Sequence, residues 1–159
     1  MNKKILLSIL GILMLFTFSA CKKEEETRKP ITSDSFETVA ESIDYETKDV
    51  TKTLSSNKGI SKAMVARVEN KYQIEYYTLD DAEVAQKMYN RNKKRFETQK
   101  ESKDKAEEIN SNNYSEYKLT TNGKYKLLSK IDNTLLYADV DEQYKDNVIN
   151  FAKQLGYLK

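Results

Sequence analysis

The last third of the chain has little freedom to be anything but a strand meander. Tyr114 to Thr121 reads as a strand, and Asn122-Gly123 follows it. Asn-Gly is the strongest short hairpin signal, because a two-residue type I′ turn needs positive φ at both central positions. Tyr125, Leu127, Ser129 and Ile131 then alternate with Lys124, Lys126 and Lys130, Asp132-Asn133 makes another tight turn, and Leu135 to Val140 returns as a strand. A period of two sends successive side chains to opposite sheet faces. Asp141 caps a last helix with Tyr144, Val148, Phe151, Ala152 and Leu155 on one face.

The same plan is written once before. Residues 64–88 run strand, short turn, strand, acidic cap, helix, as residues 125–149 do. In the first unit Asn70-Lys71 is the turn, Tyr72 to Leu79 the second strand, and Asp80 the cap. The helix stripe there is Val84, Ala85, Met88, Tyr89 and Phe96, weakened by Asn92, and it runs to about Gln99. If the units are alike, their helices cover the same sheet face. An earlier helix begins near Ser33, capped by Ser33 or Thr32, with Phe36, Val39, Ala40 and Ile43 at helical spacing. Tyr45 to Thr53 is too polar for a central strand and reads as an edge strand or loop; residues 55–59 are a loop. Residues 100–113 are polar throughout and read as a solvated helix extension or a mobile loop. The expected fold is α+β, in the order α-ββ-α-βββ-α. It is a two-layer sandwich: an antiparallel sheet of about five strands with helices on one face. Residues 34–159 form this single domain.

The N-terminus reads as an address. Lys3 and Lys4 precede an apolar run from Ile5 to Phe18, then come Ser19, Ala20 and Cys21. This is the basic, apolar, small-residue order of a secretory signal. The run is shorter than the about 20 residues that cross a bilayer. Phe18-Ser19-Ala20-Cys21 resembles the lipobox of a bacterial lipoprotein signal peptide. That resemblance implies cleavage between Ala20 and Cys21 and acylation of the Cys21 thiol. Phe18 departs from the aliphatic residue usual at its position. Cys21 is the one cysteine of the chain, and acylation removes a thiol that would be exposed to oxidation outside the cell. Two acyl chains make a stable anchor. Residues 1–20 are then the signal peptide, and 21–33 are the lipidated Cys21 with a flexible, charged tether.

Cleavage changes the charge. The full chain has 27 Lys+Arg against 25 Asp+Glu, a formal +2. Residues 1–20 contain two of those cations and no acid, so the mature chain is neutral. Nothing there favours nucleic acid. With no His, every Ser–His or Cys–His device and most zinc sites are excluded. Asp139, Asp141, Glu142 and Asp146 are the densest acidic cluster, and they read as helix-start residues rather than metal ligands. The expectation is no catalytic residue, no metal and no cofactor. Two leads remain. The basic run Arg91, Lys93, Lys94 and Arg95 is either a solvated face paired with Glu97, Glu101 and Asp104, or an attractor for anionic headgroups or envelope polymers. Tyr76 and Tyr77 point to opposite faces. With Tyr125 and Tyr137, one of them forms either a row on an open sheet face that binds a partner or ordinary cross-strand pairs.

The lipobox-like motif, the charged tether and the ending S-K-I-D-N-T-L-L-Y-A-D-V-D…L-G-Y together resemble small, uncharacterised lipoproteins of low-GC Gram-positive bacteria. The excess of 23 Lys over 4 Arg fits an AT-rich genome. The resemblance implies a cystatin-like or related curved-sheet sandwich that binds rather than catalyses. The expected protein is a monomer anchored by lipid to the outer face of the plasma membrane. It would serve as a binding module for an unidentified protein, peptide or envelope polymer. The alternative is an envelope enzyme using carboxylate or Tyr chemistry.

Overall fold

The computed structural model describes residues 27–54 and 58–159. The expected signal peptide, Cys21 and the tether up to residue 26 lie outside the described residues. Helix α1 (Ser33–Glu41) is followed by strand β1 (Glu46–Asp49), a 3-10 turn (Thr51–Leu54), β2 (Ile60–Val68) and β3 (Tyr72–Leu79). Next come α2 (Ala82–Glu97), β4 (Ala106–Asn110), β5 (Tyr114–Thr121), β6 (Lys124–Ile131) and β7 (Thr134–Asp141). A 3-10 turn (Glu142–Tyr144) leads into α3 (Lys145–Gln154). The strands form one antiparallel seven-stranded sheet in the order β1-β2-β3-β7-β6-β5-β4.

The α+β class and the rough order of elements match the sequence reading. The turns do as well: Asn70, Asn122 and Asp132 have φ of 54°, 50° and 47°, and Gly123 has 68°. Thr32 caps α1, its hydroxyl accepting from the Ser35 amide. The α2 cap is Asp81, whose carboxylate accepts from the Val84 amide at 2.8 Å, and not Asp80, which accepts from the Ser61 hydroxyl. Helix α2 ends at Glu97, short of Gln99.

Three expectations are corrected. The sheet has seven strands rather than about five. Edge strand β1 falls within the polar stretch 45–53, and edge strand β4 within 100–113, where neither helix nor loop alone was right. Both edges are exposed, so the apolar alternation that marks an inner strand is missing. The second correction concerns the layers. Helices α1 and α3 pack on one sheet face, with Phe36, Ile74, Tyr76, Leu127, Leu136 and Phe151 in that core. Helix α2 packs on the other, with Tyr77, Leu79, Tyr89, Phe96, Leu128 and Leu135. There are three layers, so a two-layer, cystatin-like arrangement is not confirmed. The cause is register. Tyr77 sits opposite Leu135, and Ile74 opposite Ala138. Directly opposed residues share a face, so Leu79 lies with Leu135 while Val140 lies with Ala138 on the far side. Each helix covers the face to which the last apolar residue of its strand points.

The third correction concerns the tether. Its second half is docked. The Arg28 amide donates to Asn113 Oδ1 at 3.1 Å, and Asn113 Nδ2 donates to the Arg28 carbonyl at 2.6 Å. The guanidinium pairs with Glu116, donates to the Tyr157 carbonyl at 2.8 Å and lies 4.0 Å over the Tyr114 ring. Ile31 packs against the α1/α3 core, and its carbonyl accepts from the Tyr76 hydroxyl at 2.6 Å. Gly156 turns the chain at the end of α3 with φ of 76°, which brings Tyr157 and Leu158 back into the core beside this clamp.

The side chains of Arg28 and Glu116 are 8% and 3% exposed. Arg28→Ala strands a buried carboxylate and is expected to cost about 3–5 kcal/mol, most of it recovered in Arg28→Met/Glu116→Leu. Urea unfolding of both variants checks this; wild-type stability for Arg28→Ala would contradict the clamp.

Candidate functional site

Of the two readings of the tyrosines, the open row is not formed, because helices cover both sheet faces over them. Tyr76, Tyr77 and Tyr125 are buried, and Tyr137 is partly so. Tyr76 stacks on Phe36 at 5.2 Å. Tyr125 lies under α3, where the Lys145 ammonium stands 5.5 Å over its ring. Tyr77 and Tyr137 lie on the other face, under α2. The Tyr77 hydroxyl donates to Glu75 at 2.5 Å, and Tyr137 packs on Phe96 and accepts from Arg95 at 2.6 Å. Burial pushes the Tyr72, Tyr77, Tyr89, Tyr125 and Tyr157 phenols well above their ordinary range, and Tyr137 up to about 12.

The basic run divides. Lys93 pairs with Glu108 at 2.5 Å and more loosely with Glu97 at 3.8 Å, so the expected partners Glu101 and Asp104 are not used. Glu101 pairs instead with Lys103. Arg91 and Lys94 are exposed, with no ion pair among the described residues. Arg91 and Arg95 border a cleft between α2 and the start of β2. Its outer hollow of about 430 Å³ and its inner hollow of about 170 Å³ share Ile60, Met88 and Arg91. Leu79, Val84 and Leu54 add apolar floor, and Lys58 and Lys87 add rim charge. Lys87 is paired with Glu83 at 2.6 Å, both on the exposed side of α2. Glu75, held by the Tyr77 hydroxyl and by Gln73 at 2.9 Å, is the acid on the inner wall. Gly59 stands at the mouth with φ of 93°, where a Cβ would meet Val84 at 2.7 Å. Such a cleft suits an apolar group carrying negative charge.

A second concavity lies on the other face, over β4 and β5. Two hollows of about 450 and 250 Å³ share Lys118 and Ile149. Arg28, Ile109 and Lys153 line the first, and Lys105 and Lys145 the second. Lys145, Ile149 and Lys153 fall four residues apart and so share one face of α3. Glu107 bridges to Lys118 at 2.7 Å, while Glu116 is taken by Arg28. Sequence reading missed this groove because its lysines are scattered from 105 to 153. The spacing along α3 was the one available signal.

The acidic cluster is also split up. Asp139 pairs with Lys126, and Asp141 with Lys124. Among the described residues no group of acids or cysteine is placed to hold a metal ion.

No protein-family model matches the chain, and no curated protein does. Among solved structures, the chain is similar to a GTP binding regulator from Thermotoga maritima. The two are 17% identical with a TM-score of 0.48, over 81% of this chain and 90% of that one.

Two predictions follow from this geometry. Gly59→Ala combines a left-handed backbone with a steric clash and is expected to cost about 1–3 kcal/mol; thermal unfolding measures it, and an unchanged melting temperature would refute the close approach to Val84. The raised phenols set the second. Below about pH 10 the phenols are neutral in both states, and above it the unfolded chain ionises first. Their contribution is therefore complete below about pH 10 and is lost as the pH climbs toward 12 and past it. From this cause urea midpoints should fall as the pH climbs from about 10 toward 12. Ordinary titration of all 11 tyrosines in the folded protein near pH 10 would contradict the burial.

Proposed function

We propose that the protein is an extracytoplasmic binding module, a monomer held by lipid on Cys21 at the outer face of the bacterial plasma membrane, with its ligand site in the α2 cleft. The observation that carries the ligand site is the pairing of an apolar floor at Ile60, Leu79 and Met88 with the unpaired Arg91 and the Arg95 guanidinium at its rim. Guanidinium groups recognise carboxylate and phosphate in a planar, bidentate fashion. The ligand class is therefore an amphipathic anion, such as an acidic peptide segment or an envelope polymer bearing apolar groups. The anchor is supported by the signal-like order of residues 1–21.

Two measurements test the halves of this reading. Palmitate labelling in cells is expected to depend on Cys21, and Cys21→Ala should appear in the medium or as uncleaved precursor; normal labelling of that variant ends the anchor. Crosslinking on intact cells should recover a reproducible species that Met88→Lys/Arg91→Glu loses by about tenfold or more, the expected scale for removing a central anchor and its charge. Equal recovery with the cleft variant would sink the cleft as ligand site.

A further inference from the structure

The docked half of the tether changes what lies next to the membrane. From Cys21 to the clamp at Arg28 the chain reaches at most about 25 Å when fully extended. Arg28 is held on the α1/α3 face by Asn113, Glu116 and Tyr157. It also lines the hollow that Ile109, Lys118 and Lys153 line. The point where the chain leaves the domain and the lysine groove are therefore one surface. We propose that this groove is a membrane-docking surface, its lysines seated on anionic lipid headgroups. The proposal rests on acylation of Cys21, the anchor reading above.

Charge complementarity chooses the occupant. Lys105, Lys118, Lys145, Lys153 and Lys159 line the groove, and among its described lining residues Glu107 is the exposed side-chain acid. Glu116 is neutralised internally by Arg28. The tether contributes no net attraction, because Lys22, Lys23 and Lys29 are offset by Glu24, Glu25 and Glu26. A juxtamembrane lysine near an anionic surface attracts it by about 1 kcal/mol, and lysine stems keep their charge in the headgroup layer while covering apolar surface. Ile109, on edge strand β4, is 44% exposed and is the exposed large apolar side chain among the described residues. It stands in the same hollow, where it can sit among headgroups. Docked this way, the sheet lies between the membrane and α2, so the α2 cleft opens away from the bilayer.

The test uses the acylated mature protein in vesicles of phosphatidylcholine alone or with about one third phosphatidylglycerol. Amide exchange is expected to slow in β4 and α3, but not in α2, with the anionic vesicles alone. The protection should vanish in about 0.5 M salt and in Lys105→Glu/Lys153→Glu, and should persist in Arg91→Glu/Lys94→Glu. Protection with both lipids, protection shared by α2, or protection retained by the lysine variant overturns the proposal. If β4 and α3 are protected only when an acidic protein fraction from cells is added, the groove belongs to a protein partner and the membrane proposal falls. The anchor is separated from the groove by the unacylated Cys21→Ser mature chain. It should sediment with the anionic vesicles about tenfold better than the same chain carrying Lys105→Glu/Lys153→Glu. Equal sedimentation overturns the groove even where palmitate labelling upholds the anchor. Should the charge-reversed variant melt early, Lys105→Gln/Lys153→Gln takes its place, with a smaller loss expected and the same reading of equality.

Discussion

The pairing of β3 with β7 at the centre of the sheet is the constraint on which the molecule depends. It joins two strand-turn-strand-helix units that are alike in sequence plan, and its register places equivalent residues on opposite faces. Shifting such a pairing by one residue would move every side chain to the other face. Both helices would then cover one side, and a large apolar surface on the other would be left to water. With the register as it stands, α2 covers one side while α1 and α3 cover the other. Burial on both faces is what makes the central strands tolerate so many large residues, and it is why Lys126 can lie 2% exposed. Its ammonium reaches Asp139 at 2.7 Å and stands 4.9 Å over the Phe96 ring.

Three layers also give the domain two distinct outer regions with separate access. The two basic concavities arise where the helices stop short of the strands: at the β2 end beside α2, and over β4 and β5 beside α3. The clamp at Arg28 ties the second of these to the N-terminal connection. It joins the start of the described chain, the loop before β5 and the chain end at Tyr157. The direction in which the polypeptide leaves is therefore a property of the fold, not of a loose linker.

What was legible in the sequence was local. The positive-φ turns at Asn70, Asn122 and Asp132, the period-two strands and the cap at Thr32 are each set within a few residues. The α2 cap was placed one residue early, since Asp80 and Asp81 are both capable and tertiary contact with Ser61 claims the first. The layer arrangement was not legible. It depends on the parity of a pairing between residues about 60 apart in sequence, which no local pattern records. The stretch holding β1 was open between edge strand and loop, and β4 was hidden, for another reason: an edge strand exposed to water needs no apolar alternation. Among the site residues, Arg91 and Arg95 were found because they are close in sequence. Lys105, Lys118 and Lys145 were not, because only the fold brings them together. Tyr76, Tyr77, Tyr125 and Tyr137 stayed open between an exposed row and packed pairs because an aromatic on a strand reads the same whether a helix covers it or not.

The two basic regions differ in kind, and the difference argues for different tasks. The α2 cleft carries guanidinium groups, which are planar and weakly hydrated and suit a ligand with defined carboxylate or phosphate geometry. The groove beside α3 carries lysines, which are strongly hydrated point charges on flexible stems and demand no fixed geometry from their partner. A headgroup layer presents many anions in no fixed order, so lysines meet it with little loss of side-chain freedom. A specific ligand repays the ordering of an arginine fork. The near balance of 27 Lys+Arg against 25 Asp+Glu fits this division. With so little net charge to draw the whole molecule to an anionic surface, attraction falls to the local arrangement of lysines, and orientation, rather than mere attachment, becomes what the charges accomplish.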